Sequence, residues 1–397
     1  MKLDKFFARF EKKPLNVYVG LCSSNRDRKS ACRECAGVCP RGLLKIGELG
    51  LNDKIDLTEC NSCGLCATVC PNGVFEVREP TDIALVHQIE SLLEKKKTLT
   101  VGCRRGGGTG EEQAFCDLAL TCLGRVDEAI LVAASAMGAR EILLRTFACR
   151  SCETKGLLPV LTRSVENSRI LLQAFGRETK IEFLQEETPG AKVLGGGKRE
   201  KPEEANERRE FLKFLKGGTA KVAAMVAEGA MDQFRERVSP LKEEGKPAGP
   251  EHRVPAKRLI LLHFLKKLGR PKLERIGRAT LPLVQVGIGE DCDLCGSCSQ
   301  FCPTGALMAV AAGSTKAIDF SLSLCTGCGL CKLACPEGPL TLKDSIETAG
   351  LIEDGARRLV TLEMYRCAVC DQKFGAAATR KCCPYCERKM KLMNAPH

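Results

Sequence analysis

Cys292-Asp-Leu-Cys295-Gly-Ser-Cys298-Ser-Gln-Phe-Cys302-Pro303 is the stretch from which the rest of the chain can be read. Its cysteines are spaced C-x2-C-x2-C-x3-C, with a proline directly after the fourth. After 22 intervening residues the pattern returns as Cys325-Thr-Gly-Cys328-Gly-Leu-Cys331-Lys-Leu-Ala-Cys335-Pro336. Spacing this tight lets three thiolates wrap one metal–sulfur core while turn amides face its sulfurs. The proline then stops the turn and sends the fourth cysteine elsewhere. Zinc sites use paired knuckles, not eight thiols in two runs of four.

The pattern resembles the bacterial two-cluster ferredoxins, in which the fourth cysteine of each run ligates the other run's cluster. The resemblance implies one 4Fe–4S cluster on Cys292, Cys295, Cys298 and Cys335, and a second on Cys325, Cys328, Cys331 and Cys302. Nearer the N-terminus, Cys60-Asn-Ser-Cys63-Gly-Leu-Cys66-Ala-Thr-Val-Cys70-Pro71 is another intact run. Its companion, Cys32-Arg-Glu-Cys35-Ala-Gly-Val-Cys39-Pro40, has Lys29 where the first cysteine belongs. Cys22 substitutes if Ser23–Ala31 loops out. The expected sets are then Cys22, Cys32, Cys35 and Cys70, and Cys39, Cys60, Cys63 and Cys66. The alternative is a three-thiolate site holding 3Fe–4S or one labile iron.

The chain has 397 residues with 26 cysteines, four histidines and no tryptophan, so its metal chemistry rests on thiolates. Residues 1–14 mix charge into every few positions, no signal peptide is read there, and no run of 18 apolar residues occurs. A cytoplasmic protein without a transmembrane segment is expected, its thiols spent on metal and not on disulfides. The formal net charge is +12. Residues 191–280 carry 22 Lys+Arg against 12 Asp+Glu, nearly the whole excess. Four clusters at roughly −2 each offset most of it, which disfavours nucleic acid as a partner.

A different cysteine block lies between the two modules. Ile83, Val86, Ile89 and Leu93 fall at helical spacing over 82–95, and Thr98–Val101 reads as a strand ending at Cys103. Leu118–Thr121, Glu141–Phe147 and Lys180–Gln185 read as further strands, with helices over Val126–Ala139 and about 160–175. The alternation predicts a parallel sheet whose cysteines gather at the carboxyl ends of strands. Within it, Val101-Gly-Cys103, Leu120-Thr-Cys122-Leu-Gly-Arg125-Val126-Asp127, Gly138-Ala-Arg-Glu-Ile, Cys149-Arg-Ser-Cys152 and a helix bearing Arg169 resemble the delta subunit of methyl-viologen-reducing hydrogenases over residues 98–185. The resemblance implies a 2Fe–2S cluster on Cys103, Cys122, Cys149 and Cys152. Two departures stand against it. Arg104 and Arg105 follow Cys103 where the family has a second cysteine, and the last pair is more tightly spaced; Cys116 could compensate, and a cluster-free docking domain is the alternative. The Gly106–Gly110 loop fits no phosphate-binding pattern and reads as a turn.

Cys367-Ala-Val-Cys370 and Cys383-Pro-Tyr-Cys386 are C-x2-C knuckles 12 residues apart, the pattern of a closed Zn2+ ribbon. Rubredoxin-type iron is the alternative, and Cys382 is spare. Pro- and Gly-punctuated residues 188–255 read as a connector with helical stretches at 203–216 and 219–237. Val254–Leu268 is basic and amphipathic, fit to dock a partner or membrane surface or to pack on its own domain. The expected architecture is α/β plus α+β and multidomain. It comprises ferredoxin-like dicluster modules at 14–80 and 281–345, a parallel α/β domain at 81–187, a charged helical linker at 188–280 and a zinc ribbon at 360–392. The expected function is an electron-transfer subunit with no catalytic site of its own. The resemblance implies anaerobic metabolism and partners such as a heterodisulfide-reductase-like flavoprotein, a hydrogenase or a dehydrogenase. A nucleic-acid-associated or assembly protein with structural clusters is the other class.

Overall fold

The N-terminal module begins with β1 (Leu15–Val17), α1 (Ser23–Arg26) and α2 (Glu34–Val38), continues through β2 (Ile46–Gly47), β3 (Gly50–Leu51) and α3 (Leu65–Val69), and ends in β4 (Phe75–Val77). β1 and β4 pair antiparallel, Leu15 opposite Val77, and so tie the two ends of the module together. The computed structural model describes residues 14–48, 50–51, 55–104, 116–150, 152–154, 156–185, 252–335, 338–376 and 381–393. The expected helices at 203–216 and 219–237 and the Gly106–Gly110 turn lie outside the described residues. Described residues up to Phe183 and from His252 onward belong to one compact unit.

The middle domain follows as α4 (Asp82–Leu93), β5 (Thr98–Cys103), β6 (Leu118–Leu120), α5 (Glu128–Ala136), β7 (Glu141–Arg145), α6 (Leu157–Ala174) and β8 (Lys180–Leu184). Its sheet has the order β6-β5-β7-β8, with β5 parallel to both of its neighbours. Thr81 caps α4 by accepting from the Ala84 N–H at 3.2 Å. The buried stripe of that helix is Leu85, Val86, Ile89 and Leu93, with Leu85 taking the core position that the spacing assigned to Ile83. α5, capped by Asp127, is buried along its whole length from Ala129 to Ser135. A helix apolar on every side needs cover on every side. The sheet with α6 gives one part of it.

The rest comes from α7 (Ala256–Leu268), which lies along α5 with Leu261, Leu262, Phe264 and Leu265 buried. The basic amphipathic segment thus packs on its own body. Beyond it come β9 (Arg275–Gly277), β10 (Gln285–Ile288), α8 (Ser297–Gln300), β11 (Leu307–Ala312), β12 (Thr315–Phe320), α9 (Leu330–Leu333), β13 (Leu340–Lys343), β14 (Ser345–Glu347), β15 (Arg357–Arg366), β16 (Lys373–Ala376) and α10 (Pro384–Met393). β10 pairs with β13 and β9 with β14, all antiparallel. β11, β12, β15 and β16 form one antiparallel sheet in that order. That sheet carries the chain directly from the second module into the C-terminal knuckles. Likewise β9, within the stretch read as linker, is an integral strand of the second module.

Candidate metal centres

In the intact runs, residue types at the turns explain the local geometry. The Asn61 side chain accepts from the Cys63 N–H at 3.1 Å, and Asp293 does the same for Cys295 at 3.0 Å. These side-chain turns hold Ser62 (φ 53°) and Leu294 (φ 56°) in the left-handed region, so that successive cysteines face one centre. The divergent Cys32-x-x-Cys35 run has no such turn, because α2 begins between its cysteines at Glu34. α1 begins directly after Cys22, and Ser24 Oγ donates to the Cys32 carbonyl at 3.1 Å, drawing the looped-out segment back on itself.

The structure brings the expected quartets together. Burial pushes the Cys35 thiol up to about 12, with Cys70, Cys22 and Cys32 adding like-charge repulsion. Cys22 also acts on Cys32 and on Cys70, so the four are mutual neighbours. Burial likewise raises Cys66, whose thiol neighbours are Cys63, Cys60, Cys35 and Cys39. Cys39, Cys60, Cys63 and Cys66 line one pocket with Leu15, Leu44 and Leu57. In the second module Cys292, Cys295, Cys298 and Cys335 line another with Ile288, Ile318 and Leu340. Burial and the other three thiols of that set push Cys298 up to about 12. Burial and Cys302 push Cys328 up to about 12, and Cys331 is raised by burial with Cys325, Cys328 and Cys302. Crowded, desolvated thiols of this kind stay protonated until a cationic centre takes their protons' place.

The donor sets fit iron–sulfur clusters on a further observation. Arg258 is buried, donates to the Ser323 and Leu322 carbonyls at 2.8 and 2.9 Å, and acts by charge on Cys325, yet its Nη1 is buried without a hydrogen-bond partner. A buried N–H beside a cysteine quartet lacks only an acceptor such as a cluster sulfide.

The two modules meet at their cysteine loops. Thr326, between Cys325 and Cys328, donates to Asn72 Oδ1 at 3.1 Å, and Asn72 donates to the Leu21 carbonyl at 3.1 Å. Arg26 donates to the Cys302 carbonyl at 3.4 Å, and His252 Nδ1 lies 2.7 Å from the same oxygen. Lys257 donates to the Ala67 and Thr68 carbonyls at 2.9 and 2.8 Å. None of Asn72, Thr326, Lys257 or Arg258 was singled out from sequence. Lys257 and Arg258 were visible only as the first basic residues of an amphipathic helix.

The middle domain touches the N-terminal module through the Cys122-Leu-Gly-Arg125 turn. Thr68 donates to the Gly124 carbonyl at 2.7 Å. A Cβ on Gly124 would stand 2.8 Å from the Cys63 carbonyl oxygen. Arg125 is buried, donating to the Pro80 carbonyl at 2.8 Å and to Asp82 at 2.6 Å. Behind this turn the neighbouring Cys103 and burial raise the Cys122 thiol strongly, and Cys63 adds to the rise. Burial pushes Cys149 up to about 11, with Cys103 and Cys152 as neighbours. Cys116 stands at the margin, where burial raises it and Arg145 opposes the rise. Cys122 and Cys149 are thus each neighbours of Cys103, and Cys152 is a neighbour of Cys149.

Among the described residues, only Cys367, Cys370, Cys383 and Cys386 bring four ligand atoms within 4.8 Å of one another. Cys370 Sγ and Cys383 Sγ are 3.8 Å apart. Tetrahedral Zn–S bonds of about 2.3 Å put the sulfurs about 3.8 Å apart, so the set fits a single ion. The Cys383 N–H donates to Cys367 Sγ at 3.2 Å, and this bond chiefly lowers the Cys367 thiol to about 6. The neighbouring Cys382 is half-buried and outside the set.

Among the described residues no helix is long and apolar enough to cross a membrane. A comparison with curated proteins finds no match for this chain. Residues 30–81 and 291–339 each match the family described as 4Fe-4S dicluster domain, and these two domains give the chain iron–sulfur electron-transfer capacity.

Proposed function

We propose that this chain is the iron–sulfur electron-transfer subunit of a cytoplasmic redox complex. It relays single low-potential electrons between a heterodisulfide-reductase-like flavoprotein and a hydrogenase or dehydrogenase. Four 4Fe–4S clusters are assigned to the four ferredoxin quartets, with Cys22 completing the divergent one, a 2Fe–2S cluster to Cys103, Cys122, Cys149 and Cys152, and Zn2+ to the C-terminal four. When bound, each iron–sulfur cluster exchanges one electron at low potential.

The observation that carries the reading is the succession of quartets. The Cys292 set shares its module with the Cys302/Cys325 set. That set meets the Cys22/Cys70 set across the Thr326–Asn72 bond, and Cys35 links this to the Cys66 set. Cys63 of the Cys66 set stands beside Cys122. The chain's own residues hold the loops in contact and line two of the sets with leucine and isoleucine. No element of the fold needs to move for this. The alternative class, a nucleic-acid-associated or assembly protein, draws on the basic connector, most of which lies outside the described residues, and on the C-terminal knuckles.

The test is iron, acid-labile sulfide and zinc content of anaerobically purified protein, with EPR after dithionite reduction. The proposal expects about 18 irons and one zinc, with coupled 4Fe–4S signals and a 2Fe–2S signal that Cys122→Ser removes. About 16 irons would leave the middle domain a docking module. Eight or fewer, resisting dithionite, would overturn the relay.

A further inference from the structure

Strand β16 has the C-terminal four-cysteine site on one face and a cysteine turn of the second module on the other. Phe374 and Ala376 enter the buried cluster of the knuckles with Cys367, Cys383 and Cys386. Side chains alternate along a strand, so Gly375 between them faces the opposite way. There it meets the Asp293–Leu294 turn that joins Cys292 to Cys295. The Gly375 N–H donates to the Asp293 carbonyl at 3.0 Å. A Cβ on Gly375 would stand 3.1 Å from that oxygen and 3.2 Å from the Leu294 side chain, so the contact requires glycine. From the same sheet, Lys316 of β12 donates to the Leu294 carbonyl at 2.7 Å. Both carbonyls of the turn are thus held by the sheet that carries the knuckles.

The two holds differ in what secures them. β12 lies inside the sheet, between β11 and β15, whereas β16 ends it and pairs with β15. Two of the four knuckle cysteines precede β16 and two follow it, so an ion in that site fastens the strand at both ends. The turn matters because of the residue that follows it. Among the cysteines of the four quartets Cys295 alone is exposed, although Leu294 beside it is 1% exposed. The Cys292 set therefore has the most open way to a partner, and β16 closes one side of it.

An added electron on a cluster is stabilised by water and disfavoured by dry surroundings. We propose that the ion held by Cys367, Cys370, Cys383 and Cys386 tunes the Cys292 site through β16. When bound, it clamps Gly375 on the turn and keeps that side of the site dry. Its loss releases β16, lets water reach the turn and makes the site easier to reduce. The inference rests on the assignment of a 4Fe–4S cluster to Cys292, Cys295, Cys298 and Cys335. The electron comes from the redox partner, or from dithionite in the test, and Zn2+ neither gains nor loses one. A chain short of its ion then holds electrons at its exposed end instead of passing them inward.

The experiment is an EPR-monitored redox titration of the full chain, with iron, sulfide and zinc counted first in every sample. Cys295→Ser, which alters the signal of the Cys292 site, identifies the couple that belongs to it. Cys383→Ser, without its ion, should raise that couple by at least about fivefold in its reduction equilibrium, about 40 mV for one electron. Gly375→Val should raise the same couple with the ion still bound, and Cys382→Ser should leave it unmoved. Full iron with an unmoved couple in Cys383→Ser, or a shift in a different couple, would overturn the inference while leaving the relay standing. So would an unmoved couple in Gly375→Val, because the ion would then act by another route. Loss of cluster iron together with the ion would also overturn it, since β16 would then retain the cluster and not tune it. If Gly375→Val loses its ion, Cys383→Ser decides alone. Wild type without cluster iron would overturn the relay itself, and this inference with it.

Discussion

Asn72 and Thr326, 254 residues apart in sequence, form a buried side-chain hydrogen bond of 3.1 Å across the junction of the two ferredoxin-like modules. Asn72 is fully employed there, since its amide nitrogen also donates to the Leu21 carbonyl and to Ser23 Oγ. Replacing it by alanine strands those groups in a dry interface. Each unsatisfied buried group costs about 1–3 kcal/mol. Asn72→Ala should therefore lower unfolding stability by about 2–4 kcal/mol, while Thr326→Val, which strands one oxygen, costs about 1–2 kcal/mol. Urea denaturation of the cluster-loaded protein measures both, and a loss below about 0.5 kcal/mol for Asn72→Ala would show that water already occupies this junction.

The contact between the N-terminal module and the middle domain depends on two glycines. Gly64 has φ +79°, and a Cβ there would stand 2.1 Å from Arg125 Cδ. Gly64→Ala should cost about 1 kcal/mol for the left-handed backbone, plus about 1–3 kcal/mol for displacing a buried guanidinium. The second part vanishes once Arg125 is shortened. In an Arg125→Ala background Gly64→Ala should lose only the backbone share, giving a coupling of at least about 1 kcal/mol in a double-mutant cycle. Additive losses would mean that the two loops do not touch in solution.

Asp127 caps α5 by accepting from the Ile130 N–H at 3.0 Å while wholly buried. Burial first, then Glu128 and Asp82, push its carboxyl up to about 7, against the opposing pull of Lys257. A carboxyl raised by folding binds its proton more tightly in the native state. Its contribution to stability is complete below pH 4, falls as pH rises through about 7, and is flat beyond. Asp127→Asn keeps the cap without the charge. The difference in melting temperature, variant minus wild type, should rise between pH 4 and 7 and level off above. A difference independent of pH would place an ionised carboxylate in that site.

The cysteine spacing made the dicluster modules and the knuckles legible, because thiolate sites are local and their turns are written into Asn61, Asp293 and the proline that ends each run. Helical and strand periods located the middle sheet to within a few residues. What escaped was long-range. Nothing in the text of Lys257-Arg258 distinguishes a solvated basic face from two cations buried against carbonyls, since both read as the polar side of an amphipathic helix. The β12–β15 pairing was hidden for a similar reason. A strand of alternating charged and apolar residues such as Arg357–Arg366 indicates a half-buried sheet face but not its neighbour.

The C-terminal site offers the sharpest separation of adjacent thiols. Cys383 lies in the four-sulfur set and Cys382, one residue earlier, outside it. Successive residues before the start of α10 point in different directions, so only one of the pair can reach the centre. Cys383→Ser should abolish the single bound ion, and Cys382→Ser should leave it in place. The buried cluster of Cys367, Phe374, Ala376, Cys383 and Cys386 is small, and Tyr365 covers it only in part. A core of that size cannot hold β16 and α10 together without a metal. Removal of the ion by a zinc chelator should therefore open hydrogen exchange across 367–393 while β11 and β12 stay protected and cluster iron stays bound. Exchange that spreads into β12 would show that the four-stranded sheet unfolds as one piece, and equal ion loss from both cysteine variants would refute the four-sulfur assignment.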